Sequence, residues 1–384
     1  MSPARRAWLQ RLALATGVWG TRGAPGSISH AADPGGVQRG RALRFPRDQG
    51  AHLDTRTEWW YVTGWLGTAA APTHGFQITF FRSRTGLAAD NASRFAARQL
   101  LFAHAALTQI ATRRHHHDQR IARWNGDPAT LPAHAAVDDA ALRIDAWSMQ
   151  HLDGVWQLRA PAGGFELSLT LSRTQPLLLQ GDRGFSRKGP DEAQASHYYS
   201  EPQLAVAGRV QGSAPTAGSD ERPTAPADAG EGRAWLDHEW SDQLLHPQAV
   251  GWDWIGINLF DGSALTAFVL RRRDGSTLWA GGSFRSADAI DRAARNFGPD
   301  DVRMVPGPRW RSPTSGADYP LVWQVQTPVG RFELRTLLQA QEIDSRATTG
   351  TVYWEGLSEL LDGTGRRVGL GYLEMTGYAG TLRL

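Results

Sequence analysis

Asp237, His238 and Glu239 stand among tryptophans in the run Gly232-Arg233-Ala234-Trp235-Leu236-Asp237-His238-Glu239-Trp240-Ser241, and Gly251-Trp252-Asp253-Trp254 follows closely. Ionisable groups beside large apolar rings are costly to bury unless they are paired or functional. If the run is a strand, its side chains alternate between faces. Trp235, Asp237 and Glu239 then share one face, and Leu236, His238 and Trp240 the other. One face offers two acids beside an indole, a set suited to acid–base work. A structural reading stands beside this one. The tryptophans can be core, Asp237, His238 and Glu239 a hydrogen-bonded cluster joining two halves, and Glu58 the partner of an arginine on a neighbouring strand.

These residues need strands to hold them, and the composition favours strands. Of 384 residues, 41% are hydrophobic and 21% charged, with 16 tryptophans and 42 glycines. That describes a globular all-β chain with aromatic interiors and many tight turns. The net charge is +3, and Lys188 is the only lysine. No basic stripe with interleaved aromatics argues for nucleic acid. The absence of cysteine excludes disulfides, thiol catalysis and thiolate metal sites.

Residues 1–35 read as an export signal. Arg5-Arg6-Ala7-Trp8-Leu9-Gln10 resembles a twin-arginine pattern, Leu12 to Gly20 is a short apolar region, and Ser29-His30-Ala31 reads as a cleavage site. A periplasmic or secreted location is therefore expected, with no transmembrane segment in the mature chain.

Strands are expected at Glu58–Leu66, Phe76–Arg82, Leu100–Thr108, Ala141–Ala146, Val155–Arg159, Phe165–Ser172, His197–Tyr199 and Ala205–Val210. Residues 212–232 are rich in Pro, Ala, Gly, Asp and Glu and read as a flexible insertion. Beyond it, Trp252–Phe260 and Leu265–Arg271 form a hairpin across Asp261-Gly262. An aromatic strand followed by an apolar strand ending at arginine also describes the first two strands, a weak internal repeat. Strands resume at Leu321–Val325, Arg331–Leu337, Gly350–Leu361 and Arg366–Tyr378. Helices are expected at Ser286–Asn296 and, in short form, at Asp90–Gln99. His115-His116-His117 reads as a solvated loop, not a metal site, and His52, Asp54 and Glu58 lack the spacing of an open metal site. No metal or cofactor is expected. Many strands with few short helices imply barrels or sandwiches.

His52, Thr57-Glu58-Trp59-Trp60-Tyr61-Val62-Thr63-Gly64, Phe102-Ala103-His104, Tyr198-Tyr199-Ser200, Trp235–Ser241 and Gly371-Tyr372-Leu373-Glu374-Met375-Thr376-Gly377-Tyr378 resemble the carotenoid 1,2-hydratase (hydroxyneurosporene synthase)/AttH family. The resemblance implies two lipocalin-like antiparallel β-barrels in tandem, set at 42–211 and 233–384 around the 212–232 insertion. It implies a hydro-lyase that hydrates acyclic carotenoids, or an AttH-type exported protein that accompanies an ABC-transporter permease and carries a hydrolase label. Fungal relatives of the fold catalyse cycloadditions, so fold alone does not settle function.

By position, the family's acid–base segments correspond to His197 with Tyr199 and to Trp235 with Asp237. Hydrating an unactivated alkene needs a protonated carboxylic acid, aromatic faces for the cation and a base for the water. Asp237 fits the acid and His197 or His238 the base, with Trp235, Tyr199 and Trp240 as the cage and Glu239 alongside. Isomerisation or hydrolysis could use the same set. Glu58, Trp59, Trp60, Tyr61, His104, Trp252 and Trp254, with Trp240, are the expected ligand-binding residues. The expected ligand is an elongated apolar isoprenoid or lipid.

Overall fold

The runs of aromatic and β-branched residues form strands throughout the computed structural model, which describes residues 36–86, 93, 96–127, 132–212, 228–243 and 245–380. The expected export signal lies outside the described residues, as do 213–227 of the insertion.

The first sheet begins with the long strands β1 (Thr57–Gly67), β2 (Pro72–Arg84), β3 (Gln99–Gln109) and β4 (Arg114–Trp124). Shorter strands follow: β5 (Ala133–Ala135), β6 (Ala141–Ile144), β7 (Trp147–Leu152), β8 (Val155–Ala162) and β9 (Phe165–Ser172). The brief β10 (Leu178–Leu179) and β11 (Phe185–Arg187) lead into β12 (Ala195–Gly212) and β13 (Asp228–Ser241). Their order is β4-β3-β2-β1-β13-β12-β9-β8-β7-β6-β5, with β10 and β11 on β12. Edge strand β4 packs against β5 and β6, curling the sheet nearly into a barrel.

The second sheet is built from β14 (Ala249–Leu259), β15 (Ala264–Arg272), β16 (Thr277–Arg285), β17 (Arg295–Phe297) and β18 (Arg303–Pro306). Strands β19 (Arg309–Arg311) and β20 (Asp318–Pro320) form a small separate pair. The chain returns through β21 (Val322–Thr327), β22 (Gly330–Thr336), β23 (Glu342–Asp344), β24 (Val352–Leu361) and β25 (Arg367–Met375). The order is β17-β16-β15-β14-β25-β24-β22-β21-β18, with β23 on β24. The fold is the expected all-β architecture.

Each sheet encloses its own core, with Trp60, Phe76 and Trp156 in the first and Ile257, Trp323 and Trp354 in the second. A third cluster joins them, setting Tyr61, Trp65 and Trp235 against Trp254, Phe268 and Tyr372. The central strands are therefore buried on both faces. A Cβ at Gly256 would lie 2.3 Å from the Trp254 ring and 3.2 Å from that of Trp235. Glycine at that position makes room for two indoles where the sheets meet.

The two hairpins of the internal repeat share one physical feature. Glu58 of β1 pairs with Arg82 of β2 at 2.7 Å, and Asp253 of β14 pairs with Arg271 of β15 at 2.7 Å.

The structure departs from the sequence reading in three places, and a further expectation lies largely outside the described residues. Ser286–Asn296 is not a helix: only Ala287–Ala289 form a single 3₁₀ turn, and Arg295 already belongs to β17. Its alanines and charged residues lack an apolar stripe to dock, and among the described residues there is no α-helix. Of Asp90–Gln99, residues 90–92, 94 and 95 lie outside the described residues, and Gln99 starts β3. His115-His116-His117 is strand and not loop, because β4 pairs with β3 along its whole length. The insertion is shorter than its composition suggested. β13 starts at Asp228, and it lies between β1 and β12, so the first sheet extends to Ser241, past the expected boundary at 232/233. No helix among the described residues is long and apolar enough to cross a membrane.

Candidate functional site

β13 separates two environments, as alternation requires. Asp237 and Glu239 face a cavity between the two sheets, while Leu236, His238 and Trp240 face inward into the first barrel. The cavity encloses about 840 Å³ including its mouth. Its aromatic walls are Trp59, Tyr61 and Phe81 from the first sheet and Trp252, Trp254 and Phe268 from the second. Tyr61 meets Trp254 edge-on at 5.4 Å.

Register fixes what surrounds the first acid. β1 sets Tyr61 opposite Asp237 and Trp59 opposite Glu239. β12 sets Ser200 opposite Asp237 and Tyr198 opposite Glu239. Asp237 accepts hydrogen bonds from the Tyr198 hydroxyl at 2.7 Å, the Ser200 hydroxyl at 2.5 Å and Trp235 Nε1 at 2.6 Å. Burial drives its carboxyl up to about 7, although all three donors favour the charged form. Trp254 Nε1 donates to the Tyr198 hydroxyl at 3.3 Å, which ties the second sheet to this group.

Glu239 is held differently. Lys188 Nζ lies 2.9 Å from its Oε1, and the Ser196 hydroxyl donates to the same oxygen. The Lys188 ammonium sits 4.6 Å from the Tyr198 ring centroid and 4.5 Å from that of Phe268.

The opposite wall carries a second pair of acids. Glu355 of β24 stands directly across from Glu374 of β25, and both line the cavity. Burial pushes both carboxyls up, helped at Glu355 by the Glu374 charge and at Glu374 by those of Asp237, Glu239 and Asp253. Glu355 is left well above the ordinary range and Glu374 at about 8. Two like charges at this spacing cannot both ionise cheaply. Glu355 Oε2 is buried without a hydrogen-bond partner.

Several expected site residues lie elsewhere. His197, Tyr199 and His238 occupy the barrel face of their strands, so none reaches Asp237 through the sheet. His238 Nδ1 faces the Tyr199 hydroxyl at 3.2 Å and its Nε2 faces Glu58 at 2.9 Å, while burial lowers its pKa to about 4. His197 Nε2 accepts from the Gln38 backbone N–H at 3.2 Å, and burial lowers its pKa to about 4. Trp240 stacks on His52 at 3.7 Å, and Trp60 stacks on His238 at 4.6 Å with its Nε1 donating to Gln49 O. Glu58 is 1% exposed within this network and does not meet the cavity. His104 bridges the sheets through Tyr353 OH and Thr348 Oγ1, both at 2.7 Å, and burial lowers its pKa to about 3. Asp237, Glu239, Trp59, Tyr61, Trp252 and Trp254 are the expected residues that the cavity gathers. Trp235 stands behind Asp237, holding it.

Residues 36–378 match the AttH-like family. The chain belongs to that family. A crystal structure of an AttH protein from Nitrosomonas europaea is 43% identical, with a TM-score of 0.78 over 89% of this chain and 99% of the other. Kievitone hydratase from Nectria haematococca shares the fold at 12% identity and a TM-score of 0.62, covering 88% and 94% of the two chains. CghA, solved with Sch210972, does so at 13% identity and 0.54, covering 84% and 88%. No curated protein matches the chain.

In this AttH-like chain, His52, Glu58 and His238 bring candidate metal-ligand atoms within 4.8 Å of one another. Glu58, however, already accepts from Arg82 Nε at 2.7 Å, from the His52 backbone N–H at 2.9 Å, and faces the ring nitrogens of both histidines. The Arg82 guanidinium stands where a metal cation would be opposed by like charge, so the set fits a charge network. Burial pushes the Glu58 carboxyl up, but Arg82 and His52 outweigh burial and hold it well below its ordinary value. Arg82→Met leaves that carboxylate uncompensated. The expected loss is roughly 3–5 kcal/mol of stability, read by urea unfolding, with the wild-type value as the outcome that refutes the network.

Sequence reasoning missed Lys188, Tyr198, Glu355 and Glu374. Signals for three of them existed. Glu355 follows Tyr353-Trp354 and Glu374 follows Tyr372-Leu373, the same acid-among-aromatics pattern that singled out Asp237. Lys188 was conspicuous as the only lysine. Tyr198 in place of Tyr199 required the β12–β13 register, which composition does not carry.

Proposed function

We propose that this chain is a cofactor-free hydratase that adds water across an alkene of an elongated apolar isoprenoid or lipid. One observation carries the reading: a single aromatic cavity holds carboxyls of two kinds on facing walls. Asp237 is poised at about 7, while the Glu355–Glu374 pair retains a proton at neutral pH. Environments that push carboxyls apart assign acid and base roles. The roles differ from the sequence expectation, which gave the acid to Asp237.

In the proposed cycle Glu374, the more open member of its pair, gives its proton to one alkene carbon. The π electrons form the new C–H bond and leave a tertiary cation on the other carbon. The faces of Trp59, Trp252 and Trp254 stabilise that cation, worth ~0.5–2 kcal/mol per contact. Water attacks it, and Asp237, with one lone pair of Oδ2 unused, takes the proton released. Return of that proton to Glu374 completes the cycle with one water consumed. The fold shared with kievitone hydratase supports this class of reaction, and Arg5-Arg6 with its apolar run supports an exported location.

The test is incubation of the purified protein with acyclic isoprenoids in ¹⁸O-labelled water, followed by mass spectrometry. Products carrying one labelled oxygen are expected. Ligands that bind tightly and return unchanged from every incubation would make the protein a carrier, the role of an accessory to a membrane transporter.

A further inference from the structure

Lys188 is the only lysine in the chain, and among the described residues it is the only cation lining a cavity that holds four carboxyl groups. Its ammonium carries three N–H donors. The structure assigns one partner, Glu239 at 2.9 Å, and otherwise sets the ammonium over the rings of Tyr198 and Phe268. Ring faces attract its charge without using its donors as an oxygen would. The side chain is 14% exposed, so the remaining donor capacity opens to the cavity. Its place is also particular. Tyr198 and Phe268, the two rings beneath it, belong both to the acid cavity and to a second cavity of about 1060 Å³ reaching Arg187 and Trp279. Lys188 stands at the junction of the two.

Charge decides what kind of group it would meet there. Lys188 and Glu239 cancel as an ion pair, and burial favours the neutral form of the remaining acids. A carboxylate ligand would lie beside Glu239 with no free countercharge, a costly arrangement in a desolvated site. A neutral acceptor needs only a donor.

We propose that Lys188 donates a hydrogen bond to a carbonyl or hydroxyl oxygen of the ligand, so that the substrate is a neutral oxygenated isoprenoid and not a hydrocarbon or an acid. This rests on the hydratase reading for the location of the site and adds the substrate's second functional group. The flexible four-carbon stem lets the donor follow that oxygen along the junction.

The experiment measures binding of farnesylacetone, farnesol, farnesene and farnesoate to the full chain by quenching of tryptophan fluorescence, since Trp59, Trp252 and Trp254 line the cavity. The ketone and alcohol are expected to bind roughly tenfold more tightly than the hydrocarbon. Lys188→Met combined with Glu239→Gln removes both members of the ion pair together, which avoids an uncompensated carboxylate. This double variant is expected to lose the preference and keep hydrocarbon binding. A preference that survives in it, or tightest binding by farnesoate, overturns the proposal. A second measurement needs no variant. Acylation of the native protein by an amine-reactive reagent reports on Lys188 as the only internal amine. Farnesylacetone should slow it and farnesene should not, and equal slowing by both overturns the proposal. Hydration without an oxygen preference removes only the role of Lys188. An oxygen preference without hydration removes only the hydratase reading.

Discussion

Asp237→Asn is expected to reduce turnover by about 10²–10⁴-fold and, at pH 8, to make the fold more stable than the wild type. The two effects have one cause. The Asp237 carboxyl is 3% exposed, and burial raises its pKa from 3.8 to about 7. A carboxyl raised in the folded state contributes nothing adverse below its unfolded value, where it is protonated in both states. As pH rises from about 4 through 7 the unfolded chain releases that proton more readily, and stability falls. The penalty at pH 8 is of order 4 kcal/mol for a shift this size. Asparagine stays neutral at every pH. Its carbonyl can accept from Ser200 and Trp235, and its amide can donate to the Tyr198 hydroxyl, which rotates to accept. Urea unfolding at pH 5 and pH 8 checks this, with the variant gaining on the wild type as pH rises. If Asp237→Asn lost stability at both pH values, along with ligand binding, Asp237 would be part of a structural polar cluster and no base.

The strand reading that placed Asp237 on one face also held across the fold, for a physical reason. Aromatic and β-branched runs broken by Gly, Pro and Asp mark strands from local sequence alone, and β1, β2, β13 and β14 lie where such runs predict. Alternation correctly separated Asp237 and Glu239 from His238 and Trp240. What local sequence could not supply was which residue of β12 shares the face of Asp237. That depends on register, and a one-residue slip exchanges every side chain between faces. The family resemblance, by position, groups Tyr199 and His197 with Asp237, while the register brings Tyr198 and Ser200 to it. The 115–117 histidines failed similarly. A run of histidines reads as solvated by composition, yet full pairing of β4 with β3 decides its conformation. Glu58 was legible in its bland form only. An acid before aromatics at the end of a hairpin found the arginine directly opposite it.

The two faces of β13 therefore do different work with similar residues. On the barrel side, Glu58 and Asp48 are charged and paired. Burial raises Asp48, but His52 and the Arg44 backbone N–H outweigh it and bring it to about 2. Those groups add stability above pH 4 that is lost as pH falls toward 2. On the cavity side, Asp237 is raised and costs stability as pH increases. The barrel network supports the strand whose other face bears that strain.

Glu374→Gln is expected to lower kcat by about 10²–10⁴-fold, the range for loss of a general acid, with little change in ligand affinity. Glu355→Gln should act differently, although both residues line the same wall. Glu374 faces Glu355 across β24 and β25 and its charge raises Glu355, whereas Glu374 itself is raised by burial and by the charges of Asp237, Glu239 and Asp253. Glu355 is still protonated when Glu374 titrates, so replacing it by neutral Gln leaves in place the causes that raise Glu374. The Glu374 carboxyl stays raised, and it keeps its proton over the same pH range. Wild-type kcat/KM should rise through about pH 7 as Asp237 ionises and fall at higher pH as the pair gives up its proton. In Glu355→Gln both limbs should stay where the wild type has them, with activity retained. A pH profile for each variant separates the cases. Full activity in Glu374→Gln, with the alkaline limb displaced in Glu355→Gln instead, would show that Glu374 is not the proton donor.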